Sequence, residues 1–139
     1  MRVMALDVGE RRIGVAISDP LGISAQGVEV YERRGLEQDL AHCRALADAW
    51  QVERWVLGLP LNMNGSEGAK VEEVQRLGAQ IAETTGLPVD YMDERLTTVA
   101  AHRVLIEGGT SRKKRKGVVD KLAAVLILQS WMQSHPAGR

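Results

Sequence analysis

Cys43 is the only cysteine in the 139 residues, which excludes an intrachain disulfide and leaves no cysteine cluster for zinc. Phenylalanine is absent, and the few aromatic residues, Trp50, Trp55, Trp131, Tyr31 and Tyr91, all fall inside predicted helices or strands. No aromatic platform for stacking unpaired bases is therefore evident. No apolar run approaches membrane-spanning length, and the N-terminus enters a strand pattern directly, without the charged and apolar regions of a signal peptide. The three histidines, His42, His102 and His135, share no metal-binding spacing. His42 and Cys43 are adjacent on a predicted helix, so they do not face each other, and Cys43 reads as a core thiol rather than a nucleophile. Internal repeats, low-complexity linkers and composition breaks are also missing. The expectation is one cytoplasmic domain, residues 1–139, long enough to close a single core.

Net charge is likewise absent: 18 basic residues balance 18 acidic ones. The balance conceals an asymmetry. Five of the 18 basic residues form the run Arg112-Lys113-Lys114-Arg115-Lys116, so the other 13 face 18 acids and the rest of the chain carries −5. Location of charge, not total charge, is then the guide to a polyanionic partner.

What is present is a regular alternation of elements. Val3–Asp7 and Ile13–Ser18 are short strand-like runs joined by residues 8–12, a length suited to a hairpin. Asp19-Pro20-Leu21-Gly22 reads as a turn, because Asp bonds nearby backbone and Pro fixes φ. Gly27–Arg33 alternates as a third strand, and Leu36–Trp50 places apolar residues at spacings of three and four, which predicts an amphipathic helix. Trp55–Leu59 is a buried-type strand stopped by Pro60, followed by a polar loop, Leu61–Gly68. A helix over Val71–Thr85 stops at Gly86, and Val89–Met92 is a fifth strand. A helix over Val99–Glu107, a basic loop and a last helix over Val118–Ser134 complete the chain. The order β-β-β-α-β-α-β-α-α predicts an α/β fold. Its mixed five-stranded sheet has an antiparallel meander first, then strands joined through helices, with helices on both faces.

Three acids in this scheme stand at places where oxygen ligands for a hard divalent cation are wanted. Asp7 ends the apolar run Val3-Met4-Ala5-Leu6; an acid there is partly buried, which is unfavourable without a cation or donors. Asp93 and Glu94 follow the fifth strand and, being adjacent, point to opposite faces; periodicity does not choose between them. Asp120 opens the last helix, where an acid also interacts well with the helix dipole. The basic run at 112–116 is a handle for phosphate, although a solvated loop is the usual fate of such runs. The Asn62–Gly68 loop can offer amide groups to a substrate, and it also has an ordinary backbone explanation.

Four segments together resemble the YqgF family, also called RuvX, of RNase H-like nucleases. They are Ala5-Leu6-Asp7-Val8-Gly9-Glu10-Arg11-Arg12-Ile13-Gly14-Val15-Ala16-Ile17-Ser18-Asp19, Gly58-Leu59-Pro60-Leu61-Asn62-Met63-Asn64-Gly65-Ser66-Glu67, Asp93-Glu94-Arg95-Leu96-Thr97-Thr98 and Lys116-Gly117-Val118-Val119-Asp120-Lys121-Leu122-Ala123-Ala124. They span almost the whole chain in the family's order and spacing. The resemblance implies a sheet of order 3-2-1-4-5 with strand 2 antiparallel. It assigns the acidic role at the fifth strand to Glu94, making Asp7, Glu94 and Asp120 the catalytic and metal-binding acids. Arg11, Arg12, Asn62, Asn64 and Arg95, in the matched segments, join Arg112, Lys113, Lys114, Arg115 and Lys116 as candidates for nucleic-acid contact. The family is described both as processing the 5′ end of precursor 16S ribosomal RNA and as resolving four-way DNA junctions.

That resemblance implies Mg²⁺ or Mn²⁺, two ions by expectation, activating water and stabilising the leaving 3′ oxygen, so that a 5′ phosphate and a 3′ hydroxyl remain. The expected partner is precursor rRNA or branched DNA; a junction resolvase needs two active sites and hence a homodimer. Two rival readings stand beside it. Asp7-Val8-Gly9 before a hairpin also resembles the phosphate-binding opening of actin-like phosphotransferases, but those need two lobes and this chain supplies one. A binding module without turnover would keep the basic run, and the three acids disfavour it.

Overall fold

The computed structural model describes residues 1–61, 64–94 and 112–136, without the side chains of 112–120. Its strands are β1 (Val3–Val8), β2 (Arg12–Ser18), β3 (Ala25–Glu32), β4 (Arg54–Leu59) and β5 (Val89–Asp93); its helices are α1 (Leu36–Trp50), α2 (Ala69–Thr85) and α3 (Arg112–Ser134). The strands form one sheet in the order β3-β2-β1-β4-β5. β2 runs antiparallel to both neighbours, while β4 is parallel to β1 and to β5. The mixed sheet and its order match the expectation. The predicted helix Val99–Glu107 lies outside the described residues.

One expectation is corrected. The basic run is not a loop: α3 begins at Arg112, so residues 112–116 form its first turns. Lys and Arg are good helix formers, and the single Gly117 costs about 1 kcal/mol in a helix interior, which a long helix packed on a sheet can absorb.

The two faces of the sheet carry side chains of different size. Met4, Leu6, Ile13, Val15, Ile17, Trp55 and Leu57 face α1 and α2, where they join Cys43, Leu46, Val74, Leu77 and Ile81 in one buried cluster. Val3, Ala5, Ala16 and Val56 face α3 and pack on Ala123, Ala124, Ile127, Leu128 and Trp131. Strand periodicity sends alternate residues to opposite faces, and here it sorts bulky residues to one side and small ones to the other. Helix α3 crosses the small-residue face from one sheet edge to the other. Lys121 lies on Gly27 of β3, Ile127 on Gly58 of β4, and Trp131 Nε1 donates to Asp90 Oδ2 of β5 at 3.0 Å.

The turns follow their local chemistry. Asp19 Oδ1 accepts from the N–H groups of Ile23 (2.6 Å) and Ser24 (2.8 Å), which closes the predicted β2–β3 turn. Gly86, at φ 71°, ends α2 with its N–H on the Ala82 carbonyl at 2.8 Å, a left-handed stop that suits glycine. Among the described residues no helix is long and apolar enough to cross a membrane.

A buried ionic brace ties the start of α1 to the β1–β2 turn. Asp39, 1% exposed, accepts from Arg33 Nε, the Tyr31 hydroxyl and the Arg34 N–H, each at 3.0 Å. Arg33 Nη1 also donates to the Gly9 carbonyl at 2.9 Å. Burial pushes the Asp39 carboxyl upward, but the Arg34 N–H, Arg33 and Tyr31 outweigh it and hold the group below its ordinary value. Its folded pKa is depressed, so its contribution to stability is present above the unfolded value of about 3.9 and is lost as pH falls through the lower folded value. Asp39→Ala leaves the Arg33 guanidinium without its partner and is expected to destabilise the fold by about 3 kcal/mol at pH 7. Urea unfolding of the two proteins at pH 7 and below pH 3 checks this, with the difference shrinking at the lower pH.

Candidate active site

Asp7 is the next-to-last residue of β1 and is 6% exposed. Its ladder partner on β2 is Gly14, which adds no side chain to that face. On the other side, the last β1–β4 pair is Leu6 with Leu57, so Asp7 and Gly58 come one residue later on adjacent parallel strands. Leu6 and Leu57 face α1 and α2; alternation therefore turns Asp7 and Gly58 toward α3.

The same alternation separates Asp93 from Glu94. Val89 and Tyr91 of β5 pack with the α1–α2 cluster, whereas Met92 packs with α3. Glu94, two residues beyond Met92, follows it to the α3 face. Its carboxylate extends over Gly58: a Cβ built on that glycine would meet Glu94 Oε1 at 3.0 Å and Glu94 Cγ at 3.1 Å. Glu94 Oε1 itself is buried. Thus Asp7, on β1, and Glu94, directly after β5, flank β4 and share one face at the carboxyl ends of β1, β4 and β5. Neighbouring strands are about 4.8 Å apart. β1 and β4 are also the strands where the connections leave in opposite directions, the usual position of a site in an open α/β sheet.

Asp120 falls in α3, one residue before Lys121 and two helical turns before Ile127, which touches the Gly58 position. Its side chain lies outside the described residues, as do those of Arg112, Lys113, Lys114, Arg115 and Lys116 and all of Asn62 and Arg95. Arg11 is exposed in the β1–β2 turn, and Arg12 pairs with Glu32 at 3.6 Å. Asn64 Oδ1 accepts from the N–H of Ser66 (2.9 Å) and from its hydroxyl (2.7 Å), so that oxygen shapes its own turn. The donor set that is described, two carboxylates on one face with a Glu94 oxygen buried, supplies oxygen ligands and fits a hard divalent cation of the Mg²⁺ or Mn²⁺ type.

Two contributors were not singled out by sequence reasoning. Gly58 is an isolated glycine inside a strand, a pattern that marks close approach of another group. Glycine there loses about 0.5–1 kcal/mol of strand stability, less than the 1–3 kcal/mol typical of forcing extra atoms into a packed core. The other is the Arg33–Asp39 brace, which holds the Gly9 carbonyl of the turn that follows Asp7. On the far side of that turn lies a groove of about 230 Å³, lined in part by Arg33, Lys70 and Arg76 and by Glu10 and Glu73. Its charges nearly cancel, so it is no phosphate track.

Cys43 is buried in the α1–α2 cluster. Burial first, then the nearby Asp39 charge, pushes its thiol up to about 12. A thiol so seldom ionised is a poor nucleophile. Native protein at pH 8 is expected to resist alkylation of Cys43 by iodoacetamide over hours, and urea-unfolded protein to react within minutes. Intact mass measures both.

Comparison with known proteins places these features in context. Residues 1–134 match the profile of the RuvX family, described as Holliday junction resolvases. A relative from Heliobacterium modesticaldum is 54% identical over 141 residues, covering 100% of this chain and 95% of its own. One from Syntrophomonas wolfei is 49% identical over 139 residues, covering 100% and 99%. Both bear the provisional name pre-16S rRNA nuclease. Among solved structures, Thermus thermophilus RuvC in complex with a Holliday junction substrate aligns with a TM-score of 0.61 at 16% identity, covering 99% of this chain and 98% of that one. Fowlpox virus resolvase with junction DNA gives 0.57 at 11% identity, covering 98% and 99%. These two likenesses show the RNase H-like fold.

Proposed function

The chain belongs to the RuvX family, and on that premise we propose that it is a cytoplasmic, divalent-metal-dependent nuclease that trims the 5′ end of precursor 16S rRNA. The observation that carries this reading is the pairing of Asp7 and Glu94 on one sheet face, in a chain whose full-length relatives are named for that activity. Asp7, Glu94 and Asp120 would hold Mg²⁺ or Mn²⁺, two ions by the family's pattern. A cation held by these residues would supply Lewis-acid activation of the phosphodiester and of water.

The chain's own residues do the rest. Asp7 sits on a central strand and is buried, so its oxygens are held against thermal drift. Glu94 is constrained by contact with β4. Arg112, Lys113, Lys114, Arg115 and Lys116, in the first turns of the helix that carries Asp120, bind the phosphate backbone; Arg11, Arg12, Asn62, Asn64 and Arg95 are further contacts. With Cys43 buried and its thiol protonated, the described residues offer no cysteine nucleophile, in keeping with attack by water.

A second reading, structure-specific cleavage of a four-way junction, is favoured by the description of the family. It requires two active sites in one assembly and therefore a homodimer. Purified protein assayed side by side on precursor rRNA, single-stranded RNA and a four-way junction separates the readings. Preference for the precursor by a monomer supports the first; paired symmetric cuts in the junction by a dimer support the second.

Asp7→Asn, Glu94→Gln and Asp120→Asn are each expected to lower turnover by at least about 10²-fold while binding of nucleic acid persists, since each removes a charge that acts on the transition state. Near-normal turnover by Asp7→Asn would overturn the assignment. Neutralising residues 112–116 together is expected to weaken binding more than it slows cleavage at saturating substrate. Each lost phosphate contact should reduce the log–log salt slope by about 0.7 on single strands or about 0.9 on B-form duplex; a salt titration of binding measures it.

A further inference from the structure

At Gly58 a strand, an acid of the site and the helix carrying another acid converge. A Cβ there would lie 2.6 Å from Ile127 Cδ1, 3.0 Å from Glu94 Oε1 and 3.1 Å from Glu94 Cγ. The first distance is one that real side chains do not tolerate, so Ile127 would have to move. Cδ1 is the far end of the Ile127 side chain and can swing about χ2, but Ile127 is fully buried, so the swing needs room that a close-packed core does not hold ready. The other two distances require Glu94 to give way by a few tenths of an ångström. Asp7, by contrast, is fixed to β1 on the neighbouring strand and would stay.

We propose that Gly58 is a positioning residue: the missing side chain at the carboxyl end of β4 is the seat on which the Glu94 carboxylate and α3 settle together. Gly58 thereby couples the spacing of Glu94 to that of the helix bearing Asp120. This rests on the nuclease reading above and adds to it the residue that couples them. The other small residues of this face carry less. Ala5 and Ala16 keep a Cβ and belong to one cluster with Ala123 and Ala124, and Gly27 receives the Lys121 stem of α3 alone; Gly58 receives a helix residue and a carboxylate arm at once.

The test uses the full chain and two readouts, Mn²⁺ affinity by electron paramagnetic resonance without nucleic acid, and steady-state cleavage. Gly58→Ala is expected to weaken Mn²⁺ binding about tenfold and to lower kcat about tenfold with KM within about twofold, because misplacement of a reacting group acts on the chemical step. Ile127→Val removes Cδ1 and relieves the helix contact alone. In the Gly58→Ala background it is expected to restore the melting temperature while Mn²⁺ affinity stays low, the residual defect belonging to Glu94. Gly78→Ala, which crowds Tyr91 on the opposite face, is the control for general destabilisation and is expected to lower the melting temperature without changing Mn²⁺ affinity. Wild-type Mn²⁺ affinity and kcat in Gly58→Ala would overturn the proposal, as would full recovery of affinity in the double variant. Glu94→Gln separates this from the reading beneath it: if that variant cleaves normally, the nuclease site itself is wrong. If it is inactive while Gly58→Ala behaves as wild type, only the role of Gly58 falls.

Discussion

The close approach of α3 to the sheet is the constraint on which the rest of this molecule depends. A helix can lie that near to a sheet only if the strands beneath it give up volume, and they do so at Ala5, Ala16, Gly27 and Gly58. The opposite face carries Met4, Leu6, Ile17, Trp55 and Leu57 and holds its two helices off with larger side chains. Because interiors are packed as densely as organic crystals, this inequality cannot be averaged away. It also decides where a buried carboxylate can sit: Asp7 lies on the small-residue face rather than among leucines.

A second consequence concerns rigidity at the carboxyl ends of the strands. Asp7 is succeeded at once by the β1–β2 turn, and a turn beside a site is ordinarily a source of motion. Here Gly9 is held at its N–H by the Arg12 carbonyl, at 2.8 Å, and at its carbonyl by Arg33. Arg33 is in turn fixed by the buried Asp39 at the start of α1. The brace and the helix thus constrain the site from opposite faces, one through charge-assisted hydrogen bonds and the other through steric fit. Preorganisation of this kind is what a reaction driven by electrostatic stabilisation requires.

The two substrates attached to this family's names make different demands on one scaffold. Both are polyanions, so the phosphate contacts proposed for residues 112–116 would serve either. What differs is assembly: a junction offers two equivalent strands and asks for two sites, whereas a 5′ extension asks for one. RNase H-like geometry at the sheet does not distinguish them, since the fold of RuvC bound to a junction and the fold here superpose across nearly the whole of both chains.

Much of this was legible in the residues themselves. Short strand-like runs, one of them alternating, marked the strands, period-three-and-four runs marked α1 and α2, and Asp19 and Gly86 marked their turn and stop because their side chains, or the lack of one, act on the adjacent backbone. The motifs around Asp7, Glu94 and Asp120 carried the family, and with it the strand order. The extent of α3 was not legible: five consecutive positive charges look like a solvated loop, and only packing of the apolar part of the helix on the sheet explains why they continue it. Periodicity says that Asp93 and Glu94 diverge but not which goes where; the family motif pointed to Glu94, and the packing of Met92 with α3 puts Glu94 on that face. Gly58 and Asp39 belong to the same class. A glycine in a strand and an acid in a first helical turn are ordinary in sequence, and their roles arise from residues 36 positions away and from a turn 30 positions earlier, contacts that exist only once the sheet has closed.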